Sequence, residues 1–293
     1  MPTDVSLLGT GLLGTPVARR LLSTGLSLTA WNRTPIRTAA AAEAGATIAP
    51  TAAAAIAASP VSLLFLADAA AIGETLFRGE GAAALAGKTL VQMGTISPDE
   101  SRELGARVAA GGGSWLEAPV LGSGPQAVSG TLFVLAGGRQ QLFSRWRPLL
   151  LRLGTDPLYV GETGKAAALK LALNNLIGSL TASFAASLAI VRSEGIDPEL
   201  FMKVLRPSAL YAPTFDKKLG KMLSRDFSDP SFPVRHMLKD MLLVVGEAER
   251  HGVDAGVARA VSAALERAIG AGLGDGDYSA VSAAVEGRRE PRA

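Results

Sequence analysis

The first part of the chain alternates short apolar runs with segments whose apolar residues recur every three or four positions. The short runs predict buried strands and the periodic segments predict helices, which together indicate βαβ units around a parallel sheet. A helix is predicted after the first strand, and two more are predicted near residues 35–45 and 51–58. Strands are predicted near residues 5–8, 27–31, 61–66, 89–93, 114–117, 132–136 and 158–160.

Strand-type patterning stops at about residue 164, and helical patterns follow. The first runs from about 164 to 194 without proline, which is longer than most globular helices and suits a helix that links two domains. Further helices are predicted near 197–206, 213–223, 233–252, 254–271 and 277–286. The pattern therefore predicts an α/β protein in two domains, a doubly wound sheet over residues 1–163 and an all-helical domain over 164–293.

Composition restricts the classes of function. The 293 residues, 48% hydrophobic and 19% charged, suffice for one large or two medium domains, each with a substantial core. No apolar run reaches the length of a membrane span and no basic segment precedes an apolar one at the N-terminus, so we expect a cytoplasmic protein without a membrane partner. The absence of cysteine excludes thiolate chemistry, and with only His236 and His251 we expect no metal site. The net charge of +3 is scattered, which argues against a nucleic-acid partner, and residues 287–293 are expected to form a frayed tail.

Three glycines, Gly9, Gly11 and Gly14, lie between the first predicted strand and the first predicted helix. A G-x-G-x-x-G run in this position is typical of the turn with which a Rossmann domain binds a dinucleotide. The first glycine permits a tight turn, the second lets a pyrophosphate approach the backbone, and the third lets helix and strand pack closely. We therefore predict a cofactor site at Gly9, Gly11, Leu12, Leu13 and Gly14, a purely structural turn being the alternative.

The end of the second strand lacks the acidic residue that binds a ribose 2′-hydroxyl. That residue is expected about 20 positions after the glycines, but Asn32, Arg33 and Thr34 follow the strand and no Asp or Glu occurs before Glu43. A carboxylate would repel a 2′-phosphate, whereas a guanidinium, a hydroxyl and an amide can bind one. The sequence therefore favours NADP(H) over NAD(H), the alternative being that Arg33 is a solvated turn residue.

Lys170 and Asn174 are four residues apart on the long predicted helix, so they share one face. A lysine can give a proton to a carbonyl oxygen as hydride reaches the carbon, and a neighbouring amide can bind the same oxygen or fix the lysine. Taken alone, the pair more commonly indicates a solvated helix face.

Several short motifs complete the sequence signal: GTGLLG at 9–14, WNRT at 31–34, GTISP at 94–98, EAPVLGSG at 117–124, GETG at 161–164 followed by Lys170 and Asn174, KD at 239–240 and GDGDYSA at 274–280. In order and spacing these motifs resemble those of the β-hydroxyacid dehydrogenase family, which includes 3-hydroxyisobutyrate dehydrogenases and glyoxylate/succinic semialdehyde reductases. The resemblance covers almost the whole chain. It implies that Lys170 is the general acid/base and that Asn174 is its partner at the substrate oxygen.

The same resemblance implies further contacts to cofactor and substrate. Thr95 would contact the cofactor near the nicotinamide, and Lys239 would reach cofactor or substrate from the helical domain. The backbone of Leu121, Gly122 and Ser123 would bind the substrate carboxylate. Asp240 would help to fix the helix of Lys239, and Phe232 would line the substrate pocket or belong to the core. Members of the family usually pair through the helical domain, so a homodimer or homotetramer is expected.

Two positions depart from the family pattern. Leu121 stands where the family usually has serine, which removes a hydroxyl from the expected carboxylate site, although Ser123 could supply one. Gln92 stands two residues before Gly94 and Thr95, where the family usually has an acidic residue. The expected activity is NADPH-dependent reduction of a small carbonyl compound, such as a semialdehyde or 2-oxo acid. The alternatives are an imine reductase-like enzyme, which the retained Lys170 disfavours, and a non-catalytic NADP-binding module.

Overall fold

A computed structural model describes residues 2–286, and the expected frayed tail at 287–293 lies outside them. The chain divides into two compact units between Lys170 and Leu171. The predicted domain boundary between residues 163 and 164 lies seven residues earlier, just before the start of the long helix.

The first unit contains one sheet with helices between its strands. The strand order is β3-β2-β1-β4-β5-β6-β8-β7, and β9 pairs with β8. The strands are β1 Val5–Leu8, β2 Leu28–Trp31, β3 Thr47–Ile48, β4 Val61–Leu64, β5 Thr89–Gln92, β6 Ser114–Glu117, β7 Val120–Leu121, β8 Phe133–Gly138 and β9 Leu158–Gly161. The helices are α1 Gly14–Ser23, α2 Ala39–Glu43, α3 Ala52–Ala58, α4 Ala69–Phe77, α5 Pro98–Ala110, α6 Gly124–Ser129 and α7 Gln140–Leu150.

The central strands are apolar because both faces of the sheet are covered. Every residue of β1, β4 and β5 is buried. Leu7 and Leu63 belong to one core cluster, while their chain neighbours Leu8 and Leu64 belong to another. Since successive side chains of a strand point to opposite faces, these two clusters are the two sides of a doubly wound sheet.

The sequence pattern predicts a parallel sheet, but the sheet in the structure is mixed. β2, β1, β4, β5 and β6 run parallel, but β8 is antiparallel to both β6 and β7. The turn between β7 and β8 contains the short helix α6, which leaves too little chain for a parallel crossover. The segment predicted as one helix near 35–45 is a 3₁₀ turn, Pro35–Thr38, followed by the five residues of α2.

The described residues of the second unit form helices joined by loops, with a core that contains Phe184, Phe215, Met237 and Leu265. Phe184 and Phe215 stack with ring centroids 4.6 Å apart, which connects two helices of this core. The α-helices are α8 Lys165–Ser193, α9 Pro198–Leu205, α10 Pro213–Ser224, α11 Val234–Arg250, α12 Gly256–Gly270 and α13 Val281–Val285.

The long helix α8 begins in the first unit and continues through the second. Its buried positions recur every three or four residues and include Lys170, Leu171, Asn174, Thr181, Phe184, Ala185 and Leu188. By length and hydropathy alone α8 could cross a membrane, a property that core helices of soluble proteins share. The expectation that no apolar run has that length is therefore wrong for this helix.

Candidate active site

The glycine loop after β1 has the geometry that close backbone packing requires. Gly9 has a φ of +101°, and a Cβ atom there would overlap the carbonyl oxygen of Phe65. A Cβ atom on Gly14 would overlap the carbonyl oxygen of Gly9, which holds the start of α1 against the end of β1. At Gly11, in contrast, a Cβ atom would meet no atom within 4 Å. The protein's own packing thus requires Gly9 and Gly14, whereas Gly11 presents open backbone to a pyrophosphate, so the loop fits a dinucleotide.

α1 begins at Gly14, so Leu12 and Leu13 belong to the turn that precedes it and not to the helix. The side chain of Leu12 is 56% exposed. The first N–H groups of a helix have no partner within it, and they make its N-terminus favourable for an anion. We therefore predict that Leu12 and Leu13 bind the cofactor through their backbone and not through their side chains.

Asn32 connects the glycine loop to the end of β2. Its Oδ1 accepts a hydrogen bond from the N–H of Thr10 at 3.1 Å, and its Nδ2 donates to the carbonyl of Thr34 at 2.9 Å. The Thr10 hydroxyl donates to the carbonyl of Arg37 at 2.8 Å. Both polar ends of Asn32 are therefore engaged in holding two turns together, which is a positioning role that its sequence position did not reveal.

Arg33 is an exposed basic residue in the turn that follows β2. Its side chain is 81% exposed and its Nη1 lies 3.8 Å from Oε2 of Glu74 on α4. Arg37 is a second exposed basic residue that the sequence reasoning missed; the available signal was its position four residues after Arg33 in the same turn. The Thr10 hydroxyl donates to its carbonyl, which ties Arg37 to the glycine loop. The turn between β2 and α2 thus carries two arginines and no carboxylate of its own.

The segment Leu121, Gly122 and Ser123 leads from β7 into α6. Leu121 pairs with Phe133 across β7 and β8, and Gly122 has a φ of +131°. The N–H and the hydroxyl of Ser123 both donate to Oε1 of Gln126, at 3.0 and 2.8 Å. Gln126 was not singled out from the sequence, and it engages the two donors of Ser123 that were expected to hold a carboxylate.

Thr95 and Gln92 lie at the carboxyl end of β5, the edge at which open α/β sheets bind ligands. Thr95 is half-buried. Gln92 is buried, and its Nε2 donates no hydrogen bond within the described residues. A polar group is therefore still present where the family usually has an acid, as an amide in place of a carboxylate.

Lys170 and Asn174 belong to the buried stripe of α8, being 8% and 1% exposed. A solvated helix face, the alternative that the spacing left open, is therefore excluded for both. Asn174 Nδ2 donates to Oδ2 of Asp240 on α11 at 2.5 Å. Because a carboxylate only accepts hydrogen bonds, this contact fixes the orientation of the amide and leaves Oδ1 buried without a hydrogen bond.

Lys239 and Asp240 are adjacent charged residues of α11. Lys239 Nζ lies 2.7 Å from Oδ1 of Asp240, so one carboxylate contacts both Asn174 and Lys239. Burial, together with the charge of Lys239, lowers the pKa of His236 on the preceding turn. Phe232 is half-buried just before α11, and its ring packs edge-on to that of Tyr278, with centroids 6.0 Å apart.

The motif at 274–280 supplies a buried ion pair that the sequence reasoning did not assign. Asp277 has no exposed surface, and both of its oxygens lie 2.8 Å from Lys218 Nζ. It also accepts hydrogen bonds from the backbone and hydroxyl of Ser231 and Ser279. Burial alone would raise the pKa of the Asp277 carboxyl, but these donors hold it below its usual value. Through Asp277 the motif therefore holds Ser231, in the segment that leads into α11, in a fixed position.

Comparison with known proteins decides the family. Residues 4–161 match the model for the NAD binding domain of 6-phosphogluconate dehydrogenase, and residues 164–285 match the model described as NAD-binding of NADP-dependent 3-hydroxyisobutyrate dehydrogenase. Glyoxylate/succinic semialdehyde reductase 1 of Arabidopsis thaliana is 31% identical, over 98% of this chain and 100% of the relative. The chain belongs to the β-hydroxyacid dehydrogenase family.

Solved structures agree with this membership. The 3-hydroxyisobutyrate dehydrogenase of Salmonella typhimurium superimposes with a TM-score of 0.87 at 26% identity, over 96% of this chain and 99% of the other. An imine reductase from Myxococcus stipitatus in complex with NADP+ gives a TM-score of 0.65 at 26% identity, over 96% and 99%. The predicted family, fold class and nicotinamide cofactor are thereby confirmed, and this β-hydroxyacid dehydrogenase homologue is an NAD(P)-dependent oxidoreductase.

Proposed function

We propose that this protein uses NADPH to reduce a small carbonyl compound, a semialdehyde, 2-oxo acid or related aldehyde, and that Lys170 is its general acid/base. The observation that carries the proposal is the burial of Lys170 and Asn174 on one face of α8, with Asn174 fixed by Asp240. Lysine is rarely buried to this extent. The named activity of the Arabidopsis relative supports the same substrate class.

Each residue of this group has a definable task. The bound nicotinamide supplies or accepts the hydride. Lys170 gives a proton from Nζ to the carbonyl oxygen during reduction and, as a neutral amine, takes the hydroxyl proton during oxidation. Asn174 offers Oδ1 as an acceptor, which suits holding the lysine ammonium or the product hydroxyl. Asp240 keeps the Asn174 amide in that orientation. The contact of Lys239 with cofactor or substrate stays a prediction.

The choice of NADPH rests on Arg33 and on the missing carboxylate at the end of β2. Arg33→Ala is expected to weaken NADPH binding about tenfold or more and to leave NADH binding nearly unchanged. A charge-assisted hydrogen bond to a phosphate contributes on the order of 1.5 to 3 kcal/mol. The dissociation constants of both cofactors would be measured by the quenching of protein fluorescence.

Arg78→Ala is the matched control for this prediction. Arg78 is as exposed as Arg33 and pairs with the same Glu74, at 3.7 Å, but it follows α4 and lies outside the β2 turn. It should leave the affinity for NADPH within about twofold of the original. Equal weakening of NADPH and NADH by Arg33→Ala would show that Arg33 does not bind the 2′-phosphate.

Leu121 is expected to limit the use of acidic substrates. Leu121→Ser should raise kcat/KM for glyoxylate or succinic semialdehyde about fivefold, because a new hydroxyl can donate a hydrogen bond of about 1 kcal/mol to the carboxylate. The gain must come from this hydroxyl, since the donors of Ser123 are engaged by Gln126. Leu158→Ser, on exposed β9, should give no gain. Unchanged kcat/KM on every acidic substrate would place Leu121 outside the pocket.

A panel of carbonyl compounds and cyclic imines tests the proposal as a whole. NADPH oxidation with aldehydes or 2-oxo acids is expected, and preferential turnover of cyclic imines would instead favour the activity named for the Myxococcus neighbour. Tight NADPH binding without turnover of any compound would indicate a non-catalytic module. The proposal includes a cytoplasmic homodimer or homotetramer, which size-exclusion chromatography with light scattering would distinguish from a monomer.

A further inference from the structure

A carboxylate without exposed surface lies at the start of α8. Glu117 is the last residue of β6 and is fully buried. Its Oε1 accepts a hydrogen bond from the N–H of Gly164 at 2.7 Å, and the N–H groups of Ala166 and Ala167 also stabilise the charged carboxylate. Gly164 immediately precedes α8, and Ala166 and Ala167 belong to its first turn, where N–H groups have no partner within the helix. Glu117 therefore satisfies the N-terminus of the helix that carries Lys170.

The surroundings of Glu117 are packed so closely that its position is fixed. A Cβ atom on Gly137 of β8 would overlap Oε2 of Glu117, and one on Gly164, where φ is +96°, would contact Arg102. Ser101 on α5 stabilises the charged carboxylate through its hydroxyl, which in turn accepts from Nε1 of Trp115 at 3.1 Å. Elements α5, β6, β8 and α8 thus meet at one buried side chain.

Burial of this carboxylate is unfavourable in itself. Oε2 makes no hydrogen bond within the described residues, and burial raises the pKa of the Glu117 carboxyl. Other helices of this chain are capped without such a cost: Thr51 caps α3 and Asp197 caps α9, each near the surface. A helix N-terminus can thus be satisfied by a small or exposed side chain. The buried position of Glu117 between two elements calls for a role beyond capping.

The chain connects Glu117 directly to two segments of the proposed site. Three residues after it, β7 begins and leads to Leu121, Gly122 and Ser123. On the other side of the hydrogen bond, Lys170 follows Gly164 by six residues along α8, and all of these residues belong to the first unit. We propose that Glu117 is a positioning residue for the reaction, because it fixes the first turns of α8, and with them Lys170, relative to the 121–123 segment. This inference rests on the proposed function.

The proposal predicts a loss of rate without a loss of cofactor binding. Glu117→Gln keeps the length of the side chain and one acceptor but removes the charge. We expect kcat for the best carbonyl substrate to fall tenfold to a hundredfold, since a displacement of about 1 Å at a reacting group can cost about a hundredfold. KM for NADPH should stay within about twofold. The deuterium isotope effect on kcat with NADPH labelled at the transferred position should rise as the chemical step becomes slower.

Two cap variants separate positioning from simple helix capping. Thr51→Ala and Asp197→Ala remove the caps of α3 and α9 and should lower Tm while leaving kcat and the isotope effect unchanged. Glu117→Asp, which keeps the charge, should recover part of kcat. If Glu117→Gln does not fold, Ser101→Ala removes one hydroxyl from the carboxylate and is expected to lower kcat about threefold; an unchanged kcat in that variant overturns the proposal.

Lys170→Ala in the same assay separates this inference from the proposed function. Loss of activity in Lys170→Ala, with Glu117→Gln at the original kcat and only a lowered Tm, would overturn the positioning role alone. An unchanged kcat in Lys170→Ala would instead overturn the proposed function.

Discussion

Lys170→Ala is expected to lower kcat for carbonyl reduction by a factor of about 10² to 10⁴, the usual contribution of a general acid/base. Affinity for NADPH should stay close to the original, because the glycine loop and the β2 turn are unchanged. The measurement is steady-state NADPH oxidation on the best substrate of the carbonyl panel, with NADPH affinity determined separately by fluorescence. Truncating a buried side chain also lowers stability, so kcat would be measured well below Tm.

Two further substitutions show whether Lys170 acts through its proton. Lys170→Arg should rescue little, because guanidinium holds its proton too firmly and its planar fork directs its donors differently. Asn174→Ala should reduce kcat less than Lys170→Ala, because it removes a supporting acceptor and leaves the proton donor. Near-original turnover in Lys170→Ala would make the assignment of α8 as the catalytic helix wrong. Lys239, and Tyr211, whose hydroxyl donates to Asp216 at 2.7 Å, would then be tested.

Much of the fold could be predicted because hydrophobic periodicity reports burial directly. The pattern placed the central strands and every major helix of the second unit to within a few residues. It missed α4 and α6, which are short, and it missed α5 and α7, whose exposed faces carry charged and polar residues. The antiparallel direction of β8 was also missed, because alternation of side chains is the same in both directions of a strand.

The candidate site was predictable only where local sequence carries the chemistry. The glycine loop and the Lys170–Asn174 spacing are local patterns. Glu117 and Gly164 are 47 positions apart, and Lys218 and Asp277 are 59 apart, so the hydrogen bonds that join them follow from the fold and not from a motif. The same holds for Asn174 and Asp240, 66 positions apart, whose contact engages Nδ2 of the amide and leaves Oδ1 as the acceptor in the proposed mechanism.

The glycine loop gives the second large expected effect, and the three glycines should respond differently. Gly14→Ala places a methyl group on the carbonyl oxygen of Gly9, so α1 must move away from β1. We expect the free energy of unfolding to fall by about 1 to 3 kcal/mol or more, the usual cost of overpacking. Gly9→Ala should cost at least as much, because strain at a φ of +101° adds to the overlap with Phe65. Urea denaturation would measure both changes.

Gly11→Ala is the matched variant, since the added methyl group meets no protein atom within 4 Å. The free energy of unfolding should change by less than about 0.5 kcal/mol, as for an ordinary surface substitution. NADPH affinity should nevertheless fall about tenfold or more, because the methyl group occupies the backbone face that the pyrophosphate approaches. Unchanged NADPH affinity in Gly11→Ala would mean that the dinucleotide does not lie on this loop. A fall in both stability and affinity would mean that Gly11 is needed for the turn itself.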